Sequence, residues 1–151
     1  MHHKSKTLAT WIALIGGPLG LHRFYLHGFK DPWGWMFPWP TLLGLFGIER
    51  VKAFGQDDQL AWLLVPLLGL AVATAMFQAI LIGLTTDERW HQRFNPDMAA
   101  SSDAPPGSGW PVVFGIVLSL MLGATVLMAT IAYSGQRYFE YQVDEARKIS
   151  Q

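Results

Sequence analysis

The sequence predicts an all-α integral membrane protein with four transmembrane helices, the first two of which form a short hairpin. Hydrophobic residues make up 51% of the 151-residue chain and charged residues only 15%, whereas an ordinary soluble domain carries roughly 25% charged residues. Two stretches, 60–84 and 110–133, run for 25 and 24 residues without a charge. A helix of that length measures about 36 Å and can cross a hydrocarbon core of about 30 Å.

Charge and cysteine content exclude several classes of protein. Lysine plus arginine and aspartate plus glutamate both number 11, so the formal net charge is zero. No overall basic field attracts nucleic acid, and we expect no nucleic-acid partner. The lack of cysteine excludes disulfides, thiolate metal sites and cysteine nucleophiles. We expect no cofactor and no bound metal.

The first third of the chain, residues 4–50, predicts a transmembrane hairpin of two short helices. Its charge-free stretches, 7–21 and 33–48, contain 15 and 16 residues, slightly fewer than the usual span of about 20. We expect the chain to turn at Gly28–Pro32, where glycine and proline break the pattern. A re-entrant hairpin that enters and leaves on one side is the open alternative.

The rest of the chain divides into four segments. Residues 60–84 form the predicted third transmembrane helix, 85–109 a polar linker, 110–134 the fourth transmembrane helix, and 135–151 a polar tail that extends this helix into water. The linker contains a mixed charged and aromatic stretch, 87–94. A solvated loop is the favoured interpretation of this stretch, and a short interfacial helix is the alternative.

The lysines and arginines predict an orientation. With four spans, seven of them lie on the side of both termini and four on the other side. Because positive charge accumulates in cytoplasmic loops, we expect both termini in the cytoplasm. The compact loops favour a multi-pass protein of a bacterial inner membrane.

One string in the first helix combines close packing with a cation. On a continuous helix, Gly16, Gly20, Arg23 and His27 share one face, and the two glycines form a GxxxG notch for a neighbouring helix. Pro18 predicts a kink one turn earlier. An arginine near membrane depth indicates either a functional site or an anchor that sets helix depth. In a hairpin, Asp31 in the turn is its expected partner.

This string resembles the TM-two domain family of small membrane proteins, which carry a glycine-rich helix followed by His/Asp-Arg-Phe-Tyr-Leu. The resemblance covers residues 4–50, and its second helix matches weakly, with Ile48-Glu49-Arg50 where the family carries Trp and Asp. It implies membrane residence, no agreed biochemical activity and, from animal members, a cytoplasmic Arg-Phe turn, opposite to the charge count. The matching residues are Gly16, Gly20, His22, Arg23, Phe24, Tyr25 and Leu26.

The third and fourth helices each carry a ridge of small residues at four-residue spacing. Such ridges allow helix backbones to approach closely in lipid. We expect the two ridges to pack on each other, and contact with another subunit is the alternative. Gln78 lies at mid-membrane depth and requires a hydrogen-bond partner, for which Ser119 and Thr125 are the candidates. The ridges consist of Ala71, Ala75, Ala79 and Gly83 in the third helix, and Gly115, Ser119 and Gly123 in the fourth.

The sequence favours a non-catalytic function. It contains no P-loop, HExxH, GxSxG or strand-linked GxGxxG motif, and paired titratable groups in the membrane are missing. We expect a scaffold or accessory subunit of a membrane complex, whose partners are lipid and another membrane protein or a second copy. The alternative is a small-molecule or ion conduit formed by a homo-oligomer, for which Gln78, Ser119, Thr125 and Thr130 offer a polar stripe.

Overall fold

The computed structural model describes residues 3–99 and 107–150, and all regular secondary structure in these ranges is helical, as predicted. Part of the predicted linker, residues 100–106, and the last tail residue lie outside the described ranges. A 3-10 turn, Gly17–Leu19, separates the first two helices. The helices are α1 Lys6–Gly16, α2 Leu21–His27, α3 Pro32–Met36, α4 Pro38–Phe54, α5 Gln59–Leu84, α6 Asp87–Phe94, α7 Pro96–Ala99 and α8 Trp110–Ile149.

Two of these helices, α5 and α8, are long and apolar enough to cross a membrane. They contain 26 and 40 residues, which correspond to about 39 and 60 Å. In their most apolar stretches only 28% and 17% of the residues are buried. Four helices of spanning length are not supported among the described residues, because α1 and α2 contain only 11 and 7 residues.

The first two helices fold back on each other instead of forming one continuous helix. The Nζ of Lys4, just before α1, donates to the carbonyl of Leu26 at 2.5 Å, and the backbone N–H of Ser5 donates to the Oη of Tyr25 at 2.9 Å. The start of α1 therefore lies beside the end of α2. The reversal occurs at Gly20, whose φ of 75° is a left-handed conformation that glycine adopts without strain.

The predicted face of Gly16, Gly20, Arg23 and His27 is therefore wrong. It required one continuous helix, but α1 ends at Gly16 and α2 runs in the opposite direction. Pro18 lies in the first positions of the 3-10 turn, where its missing N–H costs no helical hydrogen bond. A kink was expected one turn before Pro18, but instead the chain reverses completely just after Pro18.

The turn predicted at Gly28–Pro32 is present, but the helix before it is the short α2 and not one long first helix. It connects α2 to α3, and α3 continues into α4 past the tip of the α1–α2 hairpin, where the Thr41 hydroxyl donates to the carbonyl of Pro18 at 2.7 Å. α4 packs against α5, whereas α1 packs against α5 and α8. The tight pairing expected between the two apolar segments of residues 4–50 is thus replaced by separate contacts with α5.

The start of α1 and the end of α8 lie at opposite ends of the bundle, whereas the sequence predicted that both termini lie on one side of a membrane. The Lys6 ammonium donates to the carbonyl of Thr85 at 2.8 Å, just beyond the end of α5. In contrast, Arg137 of α8 donates to the side chain of Gln56, just before the start of α5, at 2.6 Å. We call these the N-terminal end and the C-terminal end of the bundle.

α5 and α8 pack against each other as expected, but the glycines of the two small-residue ridges lie nearest to residues outside the opposite ridge. A Cβ on Gly123 of α8 would lie 2.8 Å from the Cβ of Met76 in α5. A Cβ on Gly115, however, would lie 2.9 Å from the Cγ2 of Thr10 in α1. Ala75 of the other ridge faces the 3-10 turn, 2.7 Å from the Cβ position of Gly17. The ridge residues therefore pack against α1 and the 3-10 turn as well as against the opposite long helix.

Residues 87–94 form the helix α6 and not the solvated loop that the sequence favoured. Thr86 caps the helix by accepting from the backbone N–H of Arg89. Trp90 and His91 are buried, and the Trp90 indole N–H donates to the carbonyl of Lys4 at 2.8 Å. The helix thus lies across the N-terminal end of the bundle and covers the start of α1.

We expect Gly123→Leu to lower the stability of the protein, because a larger side chain has no room beside Met76. Overpacking of this kind costs about 1–3 kcal/mol. Thermal unfolding in detergent measures the effect. Gly135→Leu is the matched control on the same helix, since nothing lies within 4 Å of its Cβ position. Equal midpoints for the two variants would contradict the close contact.

Candidate functional site

The candidate site begins with a buried polar pair between α2 and α5. His22 is 1% exposed, and its Nε2 forms a hydrogen bond with the Oε1 of Gln78. The partners predicted for Gln78 are wrong: the Ser119 hydroxyl donates to the carbonyl of Gly115 in its own helix, at 2.7 Å. The sequence did not indicate His22 as the partner, because only the reversal at Gly20 brings α2 beside α5.

Arg23 pairs with Asp31, as predicted from the turn. Its Nε donates to the Asp31 Oδ2 at 2.7 Å, and the other carboxylate oxygen accepts from the backbone N–H of Trp33 at 3.3 Å. Asp31 is the N-cap of α3. The hydrogen bond from Arg23 lowers the pKa of the Asp31 carboxyl. We call this pair of an arginine and an N-cap aspartate a clasp. It connects the end of α2 to the start of α3.

A second clasp of the same design, which sequence reasoning missed, ties α4 to α5. Arg50 donates to Asp58 through Nε and Nη2 at 2.7 and 2.8 Å, and Asp58 is the N-cap of α5. The hydrogen bond from Arg50 lowers the pKa of Asp58. Both clasps join an arginine to an aspartate eight residues later. The first lies at the N-terminal end of the bundle and the second at the C-terminal end.

The two clasps belong to a repeated pattern, GxxGxxRxxxxGxxDxxxW. The copies occupy 17–35 and 44–62 at identical spacing. In each copy, the indole N–H of the tryptophan donates to the carbonyl of the residue that follows the last glycine of the pattern. Trp35 donates to Phe29 and Trp62 to Gln56, both at 2.9 Å. A search for internal repeats would have found the second clasp from the sequence.

The remaining residues of the predicted string have packing roles. A Cβ on Gly34 would lie 2.6 Å from the Phe24 ring, which also contacts Trp35 at 5.3 Å between centroids. Tyr25 accepts the hydrogen bond from Ser5 described above. Gly16 faces Leu21 of α2. It therefore allows α2 to fold back closely on α1 and does not form a notch for another transmembrane helix.

A cavity of about 290 Å³ opens beside the His22–Gln78 pair, bounded by α2, α5 and α6. Three arginines, Arg23, Arg89 and Arg93, are among the residues that line it, and none of the described lining residues is an aspartate or a glutamate. Leu26, Leu81, Ile82, Trp90 and Phe94 supply apolar surface. The sequence did not predict this cavity, since it forms from three elements that are distant along the chain.

An ion pair fixes α6 above this cavity. The Lys6 ammonium lies 2.5 Å from the Asp87 carboxylate, and Asp87 also accepts a hydrogen bond from the backbone N–H of Ser108 at 2.8 Å. Burial acts to raise the pKa of Asp87, but the hydrogen bonds from Lys6 and Ser108 outweigh it and lower the pKa to about 2. Asp87 is therefore ionised at neutral pH and holds the start of α6 against α1.

Among residues 3–99 and 107–150, no group of three or more histidine, aspartate or glutamate side chains is placed to hold a metal ion. No family model, no curated protein and no solved structure matches this chain. The resemblance of residues 4–50 to the TM-two domain family therefore stays a prediction.

We expect the arginines of the two clasps to be needed for folding. Arg23→Ala should strongly reduce the amount of folded protein, while Arg23→Lys and Asp31→Asn should reduce it less. Arg50→Lys should be more damaging than Arg23→Lys, because Arg50 donates two hydrogen bonds to its aspartate and lysine cannot reproduce the fork.

Fluorescence-detected size exclusion of tagged variants measures this order. Lys52→Ala is the control, because its pair with Glu49 is exposed and such pairs contribute little. If Arg23→Ala accumulates like the wild type but loses an associated protein, Arg23 belongs to a binding surface instead. If the two lysine variants behave alike, the second hydrogen bond at Arg50 is unimportant.

Proposed function

We propose that this protein is a non-catalytic integral membrane protein, a scaffold or accessory subunit of a larger membrane complex. The observation that carries the proposal is the uncovered apolar surface of α5 and α8. Large side chains such as Phe77 and Leu84 of α5, and Met121 and Met128 of α8, are more than half exposed. Lipid or the helices of a partner can cover such surface, whereas water cannot do so favourably.

In this proposal the chain crosses the membrane three times. α5 and α8 cross singly, and α3 with α4 forms a third crossing of 23 residues, Pro32–Phe54, or about 34 Å. Its direction opposite to α5 is supported by the pairing of Gly44 with Leu68 and of Gly47 with Leu64. The α1–α2 hairpin enters and leaves at the N-terminal end with its tip at Gly20, whereas the re-entrant alternative that the sequence left open turned at Gly28–Pro32.

A re-entrant hairpin is stable in a membrane only where protein or water satisfies its irregular backbone. Here Thr41 donates to the Pro18 carbonyl in the reversal, and the Gly20 N–H donates to the Gly17 carbonyl at 2.8 Å. The polar ring of His22 is matched by Gln78. These bonds support the placement of the hairpin tip within the bundle at membrane depth.

The new topology removes the basis for the predicted orientation. Lys4, Lys6, Arg23, Lys30, Arg89 and Arg93 fall at the N-terminal end, and the other five of the 11 lysines and arginines fall at the C-terminal end. Because six against five is no bias, the charges do not favour a cytoplasmic N-terminus. A bacterial inner membrane remains part of the proposal, supported by the short connections between helices.

The tail of α8 supports the accessory role. The helix continues without a break from Trp110 to Ile149, beyond Tyr141, the ring of which contacts Trp62 at 6.3 Å between centroids. Phe139 and Val143 are 69% and 49% exposed and share one helix face at four-residue spacing. An exposed apolar pair near the C-terminal end of α8 is a suitable contact for another protein.

The conduit alternative has less support within one protomer. It relied on polar side chains aligned along the membrane, but the Thr130 hydroxyl donates to the carbonyl of Val126 at 2.7 Å, and Ser119 and Gln78 are bonded as described. Each of these three groups is already satisfied inside the protein. Three of the four residues of the predicted polar stripe therefore already have a hydrogen-bond partner inside the protein.

Single cysteines test the topology, since the chain has none of its own. We expect His3→Cys and Gln92→Cys to react with a membrane-impermeant thiol reagent from one side of the membrane. Asp57→Cys and Ser150→Cys should react only from the other side, because they lie at the C-terminal end. Labelling intact and permeabilised spheroplasts measures this. Reaction of positions 3 and 150 from the same side would restore an even number of spans.

Purification in mild detergent tests the accessory role. We expect the tagged wild type to retain a specific second protein, and the variant Phe139→Ser with Val143→Ser to lose it while keeping its own stability. Phe29→Ser is the control, because Phe29 is 78% exposed but lies at the opposite end of the bundle. A homogeneous homo-oligomer with no second protein would favour the conduit instead.

A further inference from the structure

The cavity between α2, α5 and α6 has two chemically different parts. Its apolar part includes Leu81, which is 50% exposed on the outer surface of α5, so the cavity is continuous with the surface assigned above to lipid. Its cationic part is formed by Arg89 and Arg93 of α6 together with Arg23 of α2. The cavity thus has an arginine-rich region at the N-terminal end and an apolar wall beside it.

The three arginines have unused hydrogen-bonding capacity. Arg23 uses only its Nε in the clasp with Asp31, and no described residue forms a hydrogen bond with its two terminal nitrogens. Among the described residues, Arg89 and Arg93 have no carboxylate within ion-pair distance. Arg93 lies over the ring of Phe94, 5.3 Å from its centroid, which orients it without neutralising its charge.

Three arginines from two helices line one cavity, and the Asp31 carboxylate pairs with only one of them, Arg23. Repulsion between them is unfavourable, and guanidinium forks match the oxygens of a phosphate. We propose that this cavity binds the phosphate headgroup of an anionic membrane phospholipid, with its glycerol and acyl chains lying along the apolar wall at Leu81. Basic pockets between membrane helices bind anionic headgroups in this way. The inference rests on the membrane residence proposed above.

The phosphate alone does not explain the cavity, because a free phosphate ion has no apolar part to cover Leu26, Leu81 and Ile82. A zwitterionic lipid supplies the acyl chains but adds a cation near the arginines. An anionic phospholipid satisfies both regions. A comparison of phosphatidylglycerol, phosphatidylcholine and inorganic phosphate therefore distinguishes an anionic phospholipid from a zwitterionic lipid and from a free phosphate ion.

The full-length protein in a non-ionic detergent provides the test. We expect dimyristoyl phosphatidylglycerol to raise the thermal midpoint in a saturable manner, and phosphatidylcholine and millimolar inorganic phosphate to leave it unchanged. The variant Arg89→Gln with Arg93→Gln should weaken the apparent affinity at least about tenfold, because it removes two charge-assisted contacts. Both side chains are exposed, so this variant should fold normally.

The matched control removes two positive charges at the far end of the protein, in Arg147→Gln with Lys148→Gln. It should bind phosphatidylglycerol like the wild type. Equal stabilisation by phosphatidylcholine, equal stabilisation by inorganic phosphate, or an equal loss of affinity in the control variant would each overturn the proposal. Resistance to alkaline carbonate extraction is measured separately. A protein that resists extraction but shows no lipid preference refutes the headgroup site and leaves membrane residence standing.

Discussion

The left-handed conformation of Gly20 is the constraint on which the rest of the structure depends. Its φ of 75° reverses the chain directly after α1, and a residue with a Cβ adopts this conformation only at a cost of about 1 kcal/mol or more. A Cβ would also collide with the backbone oxygen of Gly34 in α3. Glycine is therefore required there both for the turn and for the approach of the next helix.

Three features follow from this reversal. It places α2 beside α5, where His22 finds Gln78. It brings Arg23 to the same end of the bundle as the start of α1, where α6 adds two more arginines. It also folds the first helical segment into a hairpin, and the start of α1 and the tail of α8 lie at opposite ends of the bundle. A straight first helix would remove the cavity, the polar pair and this separation together.

The sequence predicted the parts of the fold that depend on composition and local spacing. The charge-free stretches of α5 and α8 are long enough to identify both helices, and the turn at Gly28–Pro32 brings Arg23 and Asp31 together whichever elements it joins. The small-residue spacing of Gly123 likewise indicated a close contact. These features require only neighbours in sequence or a regular helical period.

The features that the sequence did not predict depend on long-range placement. A glycine-rich segment with Pro18 is compatible with a kinked helix and with a reversal, and periodicity does not distinguish them. The sequence predicts hydroxyl groups of the fourth helix as hydrogen-bond partners of Gln78, but the Ser119 hydroxyl donates to a backbone carbonyl one turn earlier in its own helix. The clasp between Arg50 and Asp58 was accessible from the sequence, because its pattern repeats that of residues 17–35, but only a comparison of the chain with itself shows it.

The hydrogen bond between His22 and Gln78 also has a consequence for biosynthesis. Its partners are 56 residues apart, and at ribosomal rates of 5–20 residues per second Gln78 is made about 3–11 s after His22. During that interval the α1–α2 hairpin is too short to cross the bilayer and has no partner for its buried imidazole. In the membrane topology proposed above, the hairpin would remain at the membrane surface or in the insertion machinery until α5 is made, and α5 would then fix the depth of the amino-terminal third.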